Sequence, residues 1–118
     1  MIKLNKEINP DMVFVPSSYD THQDHQVIHN EALRAFKKMT SIWGYEHPWN
    51  NLTFTTDIYV KLEEKHIQKK INALKSYGSQ NFRPYFDEKY IRSIAYAKGM
   101  EVNFPFAETF ELVRLLVR

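Results

Sequence analysis

His22, Asp24, His25 and His29 crowd into the short stretch "DTHQDHQVIH", which Asp20 opens. Imidazole is a good ligand for zinc, and two histidines four positions apart on a helix can chelate one ion. His22 and His25 stand at i and i+3, and His29 follows His25 at i+4. On a helix such spacing puts the rings on one side. A neighbouring carboxylate can orient a ring as its hydrogen-bond partner or tune its pKa. The same residues also describe a solvated helix start, where Asp24 suits the positive end of the helix dipole. Histidines without a glutamate ligand make an incomplete metal signature, so spacing alone leaves both readings open.

The elements that must position these side chains can be read from periodicity. "DMVFVP" is apolar and valine-rich, bounded by Pro10 and "PSS". It predicts a strand buried on both faces, as in a parallel sheet. A helix follows, with Thr21 as N-cap and Asp24 three residues on, and with Ile28, Ala32, Ala35, Phe36 and Met39 forming its core face. A strand running into a polar helix start is a common site geometry, because ligands in α/β folds gather at the carboxyl ends of strands.

"SIWGYE" predicts a second strand, "HPWNNL" a loop and "FTTDIYVKL" a third strand. "EEKHIQKKINALKSY" predicts a helix with Ile67, Ile71 and Leu74 on its buried face and Gly78 as its stop. "SQNFRPYF" reads as irregular. Asp87 caps a further helix, "EKYIRSIAYAKG", with Tyr90, Ile91, Ile94 and Ala95 as the buried stripe and Gly99 as terminator. "FELVRLLV" closes the chain as a strand. The order β-α-β-β-α-α-β defines an α/β protein.

The 118 residues allow one domain at most. A hydrophobic fraction of 43% and a charged fraction of 25% are ordinary for a globular protein. The formal net charge of +2, from 16 basic and 14 acidic side chains, gives no argument for nucleic acid or for an anionic membrane surface as partner. Cysteine is absent, which excludes disulfides and thiolate metal sites. "MIKLNKEINP" has no apolar signal region, and no apolar run is long enough to span a bilayer. The expectation is a soluble, cytoplasmic protein. The strand "MVFVP" lies close to Met1, with no room before it for preceding βα units. The chain therefore reads as the later part of a larger α/β fold.

The stretch "NPDMVFVPSSYDTHQDHQVIHNEALRAF" resembles the PIG-L/LmbE family of zinc-dependent N-acetylglucosaminyl deacetylases. In that family a strand ending in a Pro-Asp-x-Val-type run leads into an H-x-D-H motif and a helix. "KKINALKSYGSQ" is similar to the family's K-x-x-A-L-x-x-x-x-S-Q segment, and "FAETFELVR" to its closing A-E-x-F-E-hydrophobic segment. The resemblance runs from Asn9 to Arg118 with the motifs in the family's order. It implies that residues 1–118 are a single partial domain, the C-terminal part of a Rossmann-like fold with a mostly parallel sheet. It implies zinc as cofactor and hydrolysis of the N-acetyl amide of an N-acetylglucosamine-type sugar or glycoside. Carried over by position, His25 would ligate the zinc. His22 would stabilise the oxyanion and protonate the leaving amine, with Asp24 holding it charged and correctly turned. Glu108 matches the family's acid, and Phe106 stands where the family often has tyrosine. Trp49, with Trp43 and Tyr45, offers an aromatic wall that would suit a sugar ring, although packing explains these residues equally well.

The departure from the family is as informative. Its A-H-P-D-D-E motif, which supplies two further zinc ligands and the general base, is absent from this chain. Catalytic zinc normally needs three protein ligands. The chain alone is thus expected neither to hold zinc nor to be a competent deacetylase. Its expected partners are an N-acetylated sugar and either a missing N-terminal half or a second copy. Two other readings remain: a non-catalytic remnant that binds a partner, and a small metal-binding protein using His22, His25 and His29. His29 reads as a semi-exposed helix residue, and His47 and His66 carry no assigned role.

Overall fold

A computed structural model of the chain describes residues 1–77 and 87–118. The expected helix stop at Gly78 and the segment "SQNFRPYF" lie outside the described residues. The elements are α1 (Ile2–Ile8), β1 (Met12–Pro16), α2 (Gln23–Ala35), β2 (Ser41–Tyr45), β3 (Ile58–Leu62), α3 (Glu64–Lys75), α4 (Glu88–Met100) and β4 (Phe106–Arg114). The fold is α/β, with hydrogen-bonded strand order β1-β2-β4-β3. The chain divides into two units, Met1–Ile58 with Phe110–Arg118, and Tyr59–Thr109. β3 and β4 each pass from one unit into the other.

In the first unit β1 and β2 run parallel, pairing Val13 with Ile42 and Val15 with Gly44. β2 pairs antiparallel with the end of β4, Gly44 opposite Glu111 and Tyr45 opposite Phe110. Because side chains alternate along a strand, Val13 and Val15 turn to one face. There Val15 joins Ala32, Ala35, Phe36 and Ile42 in a buried cluster with Val13, Leu33 and Val113 packed against it. Of the expected core face of α2, Ala32, Ala35 and Phe36 are buried, but Ile28 is 40% exposed and Met39, past the end of the helix with φ 66°, is 62% exposed, because the helix stops at Ala35 and the chain leaves its periodicity there. β1, however, is not buried on both faces. It is an edge strand, and Met12 and Phe14 are 40% and 55% exposed. Phe14 lies edge-on to Trp43 and tilted against Phe110, at ring separations of 6.0 and 5.3 Å.

The helix start also differs from expectation. His22, not Thr21, is the N-cap of α2, and its Nδ1 accepts the Asp24 N–H at 3.2 Å. Thr21 is otherwise engaged, since both its N–H and its hydroxyl donate to the Asn50 carbonyl, at 3.0 and 2.7 Å. At the other end of α2 the side chain of Asn5 donates to the Ala35 carbonyl at 2.7 Å. That carbonyl is among those a helix leaves unpaired at its C-terminus. Asn5 comes from α1, a short helix absent from the sequence reading. It has no buried residue and ends on Asn9 in the left-handed conformation.

In the second unit α3 and α4 pack through Ile67, Ile71, Ile91 and Ala95, with Leu62, Leu74 and Phe106 against them. Glu63 and His66 form a reciprocal capping box at the start of α3, which gives His66 a local structural role. Asp87 caps α4 as expected, accepting from Lys89 and Tyr90 N–H groups. Tyr90 itself is exposed and Ile94 only partly buried. Gly99 is not a terminator. It lies inside α4, buried, where an added Cβ would stand 2.6 Å from the Phe104 carbonyl oxygen. Its missing side chain allows close approach, and the left-handed turn after the helix falls to Asn103, φ 60°.

Candidate metal centre

The parallel pairing of β1 and β2 sets their carboxyl ends side by side. Beyond Pro16 the ladder continues for one step, with the Ser17 N–H donating to the Tyr45 carbonyl at 2.9 Å. The chain then turns: Asp20 N–H donates to the Ser17 carbonyl at 3.2 Å, and Tyr19 N–H to the Ser17 hydroxyl at 3.1 Å. This delivers Asp20, 1% exposed, to the start of α2. Beyond β2, the segment from His47 turns back on itself, Asn50 and Asn51 N–H groups both donating to the His47 carbonyl. Asn51 forms an isolated bridge with Asp20.

Asp20 is the hub of what results. Its Oδ1 accepts the His22 N–H at 2.8 Å. Its Oδ2 lies 2.9 Å from His25 Nδ1 and 3.1 Å from His47 Nδ1. Burial pushes the Asp20 carboxyl up. The His22 N–H and the His25 and His47 rings outweigh it and hold the group below its ordinary range. A carboxylate only accepts, so both rings donate their Nδ1–H to it, and each neutral ring keeps its lone pair on Nε2. His22 is turned the other way round. Its Nδ1 accepts a backbone N–H, so in the neutral ring the proton sits on Nε2.

The rings form a file. His22 stacks on His25 at 4.5 Å, His25 faces His47 at 4.7 Å, and His47 meets Trp49 at 5.2 Å and the edge of Tyr45 at 5.1 Å. The Asp20 side chain is fully buried, while those of His25 and His47 are 25% exposed. Burial and the Asp20 charge push the Tyr45 phenol up, which keeps it protonated. Asp20, His25 and His47 each offer a donor atom, all within 4.8 Å of one another. Two imidazoles and a carboxylate are a donor set that suits zinc.

The structure therefore brings His22, His25 and Trp49 into one neighbourhood, with His47 and Asp20, which sequence reasoning had left without a role. The contact of Asp24 with His22 runs through the Asp24 backbone N–H. His29 is neither semi-exposed nor a partner of His25: it is 6% exposed, and its Nδ1 donates to the Pro16 carbonyl at 2.7 Å. Pro16 ends β1, so His29 fastens α2 to that strand. Glu108 and Phe106 belong to the second unit. There Glu108 pairs with Lys70 at 3.3 Å and Phe106 packs against the α3–α4 cluster.

Comparison with solved structures places the architecture first. The conserved protein TT1542 from Thermus thermophilus superposes with a TM-score of 0.75 at 20% identity, covering 99% of this chain and 57% of that one. At that identity the likeness shows the α/β fold alone. A sequence relative is more specific: an uncharacterized deacetylase, YaiS, from Escherichia coli (strain K12) is 30% identical over 67 residues, 57% of this chain and 36% of that protein. The chain thus spans little more than half of the solved structure, and the match covers about a third of the deacetylase. No family model matches the chain. Among the described residues no helix is long and apolar enough to cross a membrane.

Proposed function

We propose that this chain carries the histidine side of the active centre of a zinc-dependent deacetylase, which hydrolyses the N-acetyl amide of an N-acetylglucosamine-type sugar or glycoside. One observation carries the reading: Asp20 takes the Nδ1–H of His25 and so leaves the ring's Nε2 lone pair to bind a ligand, while the helix cap leaves a proton on Nε2 of its stacked neighbour His22. A ligand and a proton donor thus stand side by side, as amide hydrolysis requires. The similarity to a deacetylase supports the chemical class.

His25 would hold the ion, with His47 beside it and Asp20 either orienting both rings from behind or lending an oxygen. A bound zinc would supply a polarised carbonyl and an acidified water. His22 would present its Nε2 proton to the oxygen that becomes negative in the tetrahedral intermediate; to protonate the departing amine it would first take up at Nδ1 the proton that the base removes from water, releasing the Asp24 N–H, so that Nε2–H leaves an imidazolium and not a neutral ring. Asp24, two residues on, would help to turn that ring, which receives its backbone N–H on Nδ1. Trp49, 48% exposed beside His47, offers its face to the sugar. The general base and any further ligands would come from residues outside this chain, in an N-terminal half or a second copy.

The test is zinc loading followed by acetate release. His25→Ala should abolish zinc uptake, and the zinc-loaded complete enzyme should release acetate from an N-acetylglucosamine-type glycoside. Unchanged zinc content in His25→Ala ends the proposal.

A second reading has its own support. The three donor groups of Asp20, His25 and His47 come from this chain, enough in number for a metal-binding protein without hydrolytic activity. Stoichiometric zinc binding without acetate release from the complete enzyme would favour it.

A further inference from the structure

Beneath the metal centre lies a second buried carboxylate that the proposed chemistry does not use. Glu111, on β4 opposite Gly44, is 8% exposed. Its Oε2 accepts the Ser17 hydroxyl at 2.8 Å and the Ser18 N–H at 3.3 Å, and its Oε1 accepts the Ser18 hydroxyl at 2.8 Å. Gly44 makes room for it: a Cβ there would stand 3.3 Å from both Glu111 Cβ and Ser17 Cα. Desolvating a carboxylate is costly, and an apolar residue would fill a core position at no such penalty. A buried carboxylate spent entirely on the first two residues after β1 needs a reason.

We propose that Glu111 is a positioning residue for the metal centre, acting through the Ser17–Asp20 turn. The linkage is continuous. Glu111 fixes both serine hydroxyls. The Ser17 hydroxyl fixes the Tyr19 N–H, and the Ser17 carbonyl fixes the Asp20 N–H. Asp20 in turn holds His25 and His47. The turn follows an edge strand and meets β4 through this carboxylate. Without it both serine hydroxyls lose their acceptor, and the carboxylate of Asp20 loses the defined place from which it reaches two rings at once. The zinc readout rests on the proposed function, whereas the ring geometry does not.

The experiment therefore has two readouts on the full chain. Two-bond proton–nitrogen spectra of the metal-free protein report which ring nitrogen of His25 and His47 carries the proton, and a competition titration reports zinc affinity. Glu111→Ala is expected to mix the tautomers of both rings and to weaken zinc binding about tenfold to a hundredfold, the range found for partners that orient metal ligands. Glu111→Gln, which can still accept one hydroxyl, should restore most of both. A folded Glu111→Ala with unchanged ring tautomers and unchanged affinity overturns the inference. If that variant does not fold, Ser18→Ala decides: a smaller shift in the same direction supports the linkage, and none refutes it. If the wild-type chain takes no zinc by itself, as expected of a site completed by ligands from outside it, the ring tautomers alone decide the role of Glu111, and the proposed function is judged separately on the complete enzyme.

Discussion

Asp20 and His47 are 27 positions apart in sequence, yet the carboxylate Oδ2 of one lies 3.1 Å from Nδ1 of the other. The same oxygen lies 2.9 Å from Nδ1 of His25. One buried carboxylate thus orients two imidazoles, one from α2 and one from the turn after β2, at the adjoining carboxyl ends of the parallel strands β1 and β2. Asp20→Ala should therefore disturb more than one ligand. Zinc affinity is expected to fall about tenfold to a hundredfold. Folding stability should fall by roughly 1–3 kcal/mol, because the His22 N–H and two ring N–H groups lose their acceptor. A zinc competition titration and a urea unfolding curve measure the two effects. Full metal affinity in a folded Asp20→Ala chain would remove Asp20 from the centre.

His29 offers the contrasting case. Its ring is buried and donates to the Pro16 carbonyl at 2.7 Å. His29→Leu keeps apolar bulk and deletes the donor, so the Pro16 carbonyl is left without this partner. The expected cost is about 1–3 kcal/mol in unfolding free energy, with zinc stoichiometry unchanged. Loss of zinc uptake with retained stability would show that His29 does join the metal.

These two residues mark where the sequence was legible and where it was not. Local periodicity located α2, α3 and α4 to within a few residues, because their apolar faces repeat at helical spacing. The grouping of His22 and His25 at a strand's carboxyl end was visible for the same reason. His47 was not, since its part in the centre depends on β1 and β2 being parallel neighbours, and no local pattern encodes which strands pair. Asp20 was visible only as one more polar residue before a helix. The available signal was that an acid and a histidine each follow an apolar strand directly, and parallel strands end on the same side. His29 shared the spacing of His25, but a burial difference on one helix face depends on the strand beneath it. β1 looked buried on both faces because its composition is wholly apolar, whereas exposure at an edge is set by what lies beside it.

Gly99 tests the packing of the second unit. Alanine is the better helix former by about 0.8–1 kcal/mol in a helix interior. Here its Cβ would meet the Phe104 carbonyl oxygen at 2.6 Å and Phe106 Cα at 3.0 Å, both backbone atoms. Backbone cannot swing aside as a side chain can, so overpacking should win, and Gly99→Ala is expected to destabilise by about 1–3 kcal/mol. A lowered urea midpoint with an unchanged slope would confirm it. A raised midpoint would mean that the segment 101–106 shifts freely.

His22 and His25 should separate in their effects, because their rings are held in opposite senses. His25 gives its Nδ1–H to Asp20 and keeps an Nε2 lone pair. His22 takes the Asp24 N–H on Nδ1 and keeps an Nε2 proton. His22→Asn preserves an oxygen that can cap α2, so it removes the proton donor with little loss of the helix start. This variant is expected to bind zinc as the wild type does. In the complete enzyme it should lower the turnover number about a hundredfold to ten-thousandfold, the usual contribution of a positioned general acid, with KM little changed. His25→Ala should instead lose the metal and the activity together. If His22→Asn released zinc, or if its turnover matched the wild type, the division of labour between the two rings would be wrong.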